Sequence, residues 1–186
     1  MLPVAIDLAR VPVTLVGSGP LARRRLDLIM AGGARDLVVH VVPADAELSA
    51  AAGSAARTGL PVAADLAGPR LVFVAGLDEA VAVELGTIAR AAGALVNVED
   101  VTGSCDLHVP ALVRRGDLTL AVSTGGASPG LARRIRRWLE ARLGPEWADR
   151  TREIARARDG WRAEGLAPGE VARRTDALID DRGWLQ

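Results

Sequence analysis

Eight residues near the start of the chain, Leu15-Val16-Gly17-Ser18-Gly19-Pro20-Leu21-Ala22, limit what it can fold into more than any other stretch. The apolar run Val13 to Val16 reads as a strand that passes through Gly17-Ser18-Gly19 into a helix, and Ala22 completes a G-x-G-x-x-A fingerprint. In such a turn the first glycine permits a tight reversal and the second lets a pyrophosphate approach the backbone. The small third residue brings helix against strand, and the helix N-terminus faces the phosphate charge. Glycine-rich strand-to-helix turns are common, so the spacing alone says little. Its place, directly after an N-terminal strand and before a helix, is what points to dinucleotide binding.

The remaining pattern extends this beginning. Residues 11–16 read as a strand and 20–31 as its crossover helix, with Leu21, Leu26, Ile29 and Met30 inward and Arg23, Arg24, Arg25 and Asp27 outward. Gly32-Gly33 stops that helix. Leu37 to Val42 is a second apolar strand, ended by Pro43. The alanine-rich stretch 45–58 predicts a helix and 60–63 a short strand. Leu71 to Ala75, a helix over 78–92 and a strand at Leu95 to Val98 complete the series. Strands apolar throughout, alternating with helices, imply an α/β fold whose parallel sheet is covered on both faces, a Rossmann-like domain over 1–112. Beyond it Leu118 to Ser123 predicts a strand. Ser128 as N-cap and Pro129 at the first helical position then open a long helix. Leu131, Ile135, Trp138, Leu139 and Leu143 form one apolar stripe on that helix, and Gly144-Pro145 ends it. This gives a middle segment, 113–145, and a helical C-terminal region, 146–186, broken around Gly165 to Pro168.

Composition narrows the function classes. At 186 residues and 49% hydrophobic content the chain can bury a sizeable core. No apolar run reaches the ~20 residues of a membrane span, and a basic-then-apolar leader is absent at the N-terminus. A single cysteine, Cys105, allows no internal disulfide, which predicts a cytoplasmic protein. The 23 basic residues, all arginine, balance 23 acidic ones, so no nucleic-acid or membrane partner is expected. Cys105, Asp106 and His108 do not make a metal site of ordinary ligand geometry, and no protein-held metal is expected.

Further motifs follow the fingerprint in a fixed order: Asn97-Val98-Glu99-Asp100, then Cys105-Asp106 with Pro110, then Ala121-Val122-Ser123-Thr124-Gly125-Gly126-Ala127-Ser128-Pro129. With the opening Leu2-Pro3-Val4, these resemble the precorrin-2 dehydrogenase/sirohydrochlorin ferrochelatase family, the sirohaem synthase module, over roughly residues 1–145. The resemblance implies NAD as cofactor, precorrin-2 as the tetrapyrrole oxidised to sirohydrochlorin, and in some members ferrous iron as a further substrate. It implies a homodimer in which 113–145 serves dimerisation and substrate binding. Larger relatives continue into a uroporphyrinogen methyltransferase domain. This sequence ends at Gln186, so a separate methyltransferase upstream is expected.

Residue by residue, the resemblance places the cofactor on Gly17, Ser18, Gly19, Pro20 and Leu21, on Pro43 and Ala44, and on Gly76. It makes Asp100 the catalytic residue. A carboxylate beyond a strand's carboxyl end can accept the proton lost on dehydrogenation or the pyrrole protons lost on metal insertion. Ser123, Thr124 and Gly125, ahead of a helix N-terminus, suit a substrate carboxylate. Arg114, with Arg115, Arg133 and Arg134, can clamp others through charge-assisted hydrogen bonds. His108, counted with the substrate-binding residues, is a second proton carrier, a transient iron ligand or a satisfied, partly buried side chain. Three positions depart from the family pattern. Pro20 removes an N–H from the phosphate turn, Leu77 stands where a small hydroxyl residue is usual, and the second strand ends without its acidic residue, Asp45 coming slightly late. These departures keep open a non-catalytic dinucleotide- or tetrapyrrole-binding module as the alternative.

Overall fold

The structure, a computed structural model, describes residues 2–185. The chain divides into two compact units, Met1–Val109 and Pro110–Gln186. The second takes in both the 113–145 segment and the helical C-terminal region.

In the first unit the elements run β1 (Val13–Gly17), α1 (Gly19–Ala31), β2 (Leu37–Val41), α2 (Ala46–Ala52), β3 (Ala56–Thr58), β4 (Leu71–Ala75), α3 (Glu79–Ala91) and β5 (Leu95–Val98). The five strands are all parallel, in the order β3-β2-β1-β4-β5. Alternation along each strand feeds two cores. Val13, Leu15, Val39, Val41, Leu71 and Phe73 pack under α1 and α2, while Val16, Val72, Val74, Val96 and Val98 pack under α3. Burying each such side chain contributes about 1.5–3 kcal/mol. Helix α3 lies close on β5 because Gly86 has no side chain: a Cβ there would stand 3.1 Å from Val98 Cγ2.

Four expectations need correcting. The helix expected over 45–58 stops at Ala52, because Gly53 takes φ +57°. Ala56–Thr58 then pairs with β2 as a short edge strand, which its alanine-rich setting concealed. The strand expected at 60–63 is instead irregular chain that enters a turn at Ala63, with the Val62 N–H donating to the Asp65 carboxylate at 2.8 Å. Met30 lies on the exposed side of α1. Arg25, expected outward, has only 10% of its side chain exposed, because it pairs with Glu99 and lies over the Phe73 ring at 5.3 Å.

The second unit pairs β6 (Ala111–Arg115) antiparallel with β7 (Leu118–Val122) through Gly116-Asp117, followed by α4 (Pro129–Arg142), α5 (Trp147–Ala163) and α6 (Pro168–Asp181). Strand β6 is hard to read from the sequence: it is charged at its end, and its partner follows after only two residues. Gly116 at φ +58° suits so short a hairpin. Arg115 is not free to clamp a ligand, since its guanidinium donates to the Leu143 carbonyl at 2.7 Å and closes the end of α4. Among the described residues no helix is long and apolar enough to cross a membrane.

Candidate active site

The sheet order places the topological switch point between β1 and β4, from which the chain winds outward in both directions. Ligands of such sheets bind in the crevice outside the carboxyl ends of the strands at that point. Two glycines bring the strand exits together there. A Cβ on Gly17 would stand 1.7 Å from the Ala75 carbonyl oxygen, and one on Gly76 2.1 Å from the Ser18 carbonyl oxygen. The turns after β1 and β4 therefore touch backbone to backbone, and Ala22 is fully buried behind them. Gly19 differs: at φ +71° its Cβ direction meets nothing within 4 Å. The space beside the start of α1 is therefore open at Gly19. The first N–H groups of a helix have no partner inside it. Pro20 has none to offer and Gly19 donates elsewhere, which leaves the Leu21 N–H among those orphan donors.

The recipient of the Gly19 N–H is Asp45. Its Oδ2 accepts from Gly19 at 2.9 Å and its Oδ1 from Leu48 at 2.9 Å, capping α2. Those two backbone donors, Leu48 first and Gly19 second, hold the Asp45 carboxyl below the usual carboxylate range. Asp45 thus stands beside the fingerprint despite its late position, because the chain turns back at Pro43 and Ala44, both exposed. Leu77, at the departure from the family pattern, packs against the core under α3.

On the other side of the switch point, Asp100 follows β5 and is exposed. Among the described residues it is the one non-glycine with a positive φ, +62°. Aspartate tolerates that left-handed geometry better than most residues, but it persists only where the surroundings enforce it. The surroundings are visible. Cys105 Sγ donates to the Val98 carbonyl (3.1 Å) and accepts the Val98 N–H (3.3 Å). Asn97 Nδ2 donates to the Leu107 carbonyl (3.0 Å). Asp106 takes Arg90 Nε at 2.9 Å and the Val96 N–H at 3.1 Å. On the near side Glu99 is paired with Arg25 of α1. The N-V-E-D and C-D motifs are thus staples around the loop that presents Asp100. The sequence does not signal the Arg25–Glu99 pair, because a charge in the first turns of a crossover helix reads as solvent-facing. His108 is exposed.

In the second unit the S-T-G-G-A-S-P stretch folds upon itself. Ser123 Oγ accepts the Gly125 N–H (3.2 Å) and Thr124 Oγ1 the Ser128 N–H (3.1 Å). Ser128 Oγ in turn caps α4 by accepting from Leu131 at 3.2 Å. Both hydroxyl protons at 123 and 124 stay available as donors. Arg114, Arg133 and Arg134 are exposed.

Comparison with known proteins agrees with this architecture. Residues 4–111 match a family model described as putative NAD(P)-binding. Residues 115–142 match one described as sirohaem biosynthesis protein central. A siroheme synthase of Methylococcus capsulatus is 36% identical over 93% of the chain and 36% of its own length. One from Ectopseudomonas mendocina is 35% identical over 98% of the chain and 42% of its own. The chain therefore spans well under half the length of these relatives. A solved structure titled SirC, precorrin-2 dehydrogenase, superposes with a TM-score of 0.78 at 26% identity, covering 100% of this chain and 93% of that one. With an NAD(P)-binding unit built around a switch-point glycine turn and the central sirohaem segment following it, the chain belongs to the precorrin-2 dehydrogenase/sirohydrochlorin ferrochelatase family.

Proposed function

We propose that this protein catalyses the NAD-dependent oxidation of precorrin-2 to sirohydrochlorin in sirohaem biosynthesis. The observation that carries the reading is Asp100, held at φ +62° on the same carboxyl edge of the sheet as the glycine turn. Gly17, Ser18, Gly19, Pro20, Leu21, Pro43, Ala44 and Gly76 form the cofactor's side of that edge. Bound NAD supplies the hydride acceptor. Two electrons and one proton leave the macrocycle as that hydride, and a second proton passes to an Asp100 oxygen and then to water. The products are sirohydrochlorin, NADH and one released proton. The same carboxylate suits removal of the pyrrole protons that ferrous iron displaces, so iron insertion forms part of the reading. Ser123, Thr124, Gly125, Arg114 and His108 are its substrate-binding residues, chosen for a macrocycle rich in carboxylates.

Assembly follows from α4. Leu131 is 51% exposed, Ile135 37% and Trp138 54%, at spacings that align them on one face. Such a stripe is expected to be covered by a second copy in a symmetric dimer. Analytical ultracentrifugation at micromolar concentration should show a dimer, and Trp138→Glu should dissociate it. A monomeric wild type contradicts this part of the proposal.

Incubating the purified protein anaerobically with precorrin-2 and NAD tests the activity. NAD-dependent appearance of sirohydrochlorin absorbance is expected. Binding of both ligands without conversion would make the protein a binding module.

A further inference from the structure

Asp100 owes its place to its neighbour in the chain. The Val101 N–H donates to the Val98 carbonyl at 3.2 Å, so Glu99 and Asp100 are the two central residues of one β-turn. The positive φ at Asp100 is what a type II turn demands of its third residue. Among the described residues no hydrogen bond or ion pair holds the Asp100 carboxylate itself. Its direction is therefore set by how the turn is anchored. Cys105 Sγ holds the two ends, at Val98 and Val101. Glu99 holds the middle: its N–H donates to the Val74 carbonyl of β4 at 2.9 Å, and its carboxylate pairs with Arg25.

Arg25 reaches Glu99 from α1, the helix that the glycine turn opens. Among the described residues α1 makes two ion pairs. Arg23–Asp27 stays within the helix, whereas Arg25–Glu99 spans β4 to the end of β5. The Arg25 guanidinium is nearly buried over the Phe73 ring of β4, and a planar fork so stacked loses little freedom in making the bond. Dehydrogenation takes a hydride and a proton from one macrocycle. The hydride acceptor, seated by the turn that opens α1, and the Asp100 oxygen must therefore keep a fixed separation. A misplacement of about 1 Å can cost about 10²-fold in rate. Resting on the dehydrogenase reading, we propose that Arg25 is a positioning residue for Asp100. Through Glu99 it ties the cofactor's helix to the turn that carries the proton acceptor, so that both acceptors meet the substrate in one register.

Two variants cut the tie from its two ends. Arg25→Met keeps an apolar stem on Phe73, and Glu99→Gln keeps the size of the side chain while removing its charge. With precorrin-2 and NAD both saturating, each should lower kcat by about 10–100-fold. Calorimetric NAD affinity should stay close to wild type, and circular dichroism should stay native. A cycle with Asp100 separates positioning from general support of the fold. In the Asp100→Asn background, Arg25→Met should slow the residual rate by less than about twofold, because a residue that acts through a carboxylate has nothing left to position. An equal fold-loss in both backgrounds overturns the proposal. So does a wild-type rate in folded Arg25→Met and Glu99→Gln proteins, or a loss of NAD affinity that accounts for the fall in rate. A wild type without NAD-dependent conversion, or a normal rate in Asp100→Asn, removes the catalytic reading of Asp100 itself, and the Arg25 proposal goes with it.

Discussion

Asp100→Asn should lower dehydrogenase turnover by about 10²–10⁴-fold, the usual worth of a positioned proton acceptor. Asparagine is the informative replacement because it keeps the size of the side chain and tolerates φ +62° as well as aspartate does. The backbone therefore stays in place, and NAD affinity should remain close to wild type. Asp100→Ala would add strain to the loss of charge and blur the two. Initial rates with precorrin-2 under anaerobic conditions measure the first effect, and calorimetry with NAD the second. Iron insertion into supplied sirohydrochlorin should fall in parallel once the spontaneous rate is subtracted. Chelation retained with dehydrogenation lost would confine Asp100 to one step. Normal rates in both would remove it from the catalytic machinery.

Gly19→Val and Gly17→Ala should fail in opposite ways. The space beyond Gly19 is empty, so a valine there leaves the protein folded at the cost of one strained residue, about 1–2 kcal/mol. It fills the opening for the pyrophosphate, and NAD binding should disappear from calorimetry while the circular dichroism spectrum stays native. At Gly17 even a methyl group would stand 1.7 Å from the Ala75 carbonyl oxygen. That change should destabilise the first unit by about 3 kcal/mol or more, at or beyond the upper range of overpacking costs, and thermal unfolding measures it. NAD bound with wild-type affinity by a folded Gly19→Val protein would show that the phosphates lie elsewhere.

These contrasts mark where the sequence is legible. The long apolar strands and the Ser128-Pro129 helix start appear because period and capping chemistry are local properties. The edge strand Ala56–Thr58 does not, since three residues on a sheet margin need little apolar character. The charged end of β6 hides a hairpin that only pairing with β7 explains. In the site, Asp100 is visible from its motif, whereas its left-handed backbone is not. Asp45 reads as misplaced because the count along the chain takes no account of the turn through Pro43 and Ala44 that carries it back to Gly19. Arg25 reads as solvent-facing because its partner Glu99 is 74 positions away. For Asp45 and Arg25 what escapes the sequence is a contact between residues distant along the chain.

A single-turnover experiment bears most directly on the catalytic claim. The protein is mixed with precorrin-2 and NAD in the absence of oxygen, and NADH and sirohydrochlorin are followed together. A hydride transfer on this site yields one NADH for each sirohydrochlorin, at a single shared rate that Asp100→Asn slows for both. Sirohydrochlorin formed equally fast without NAD, or without matching NADH, would contradict it.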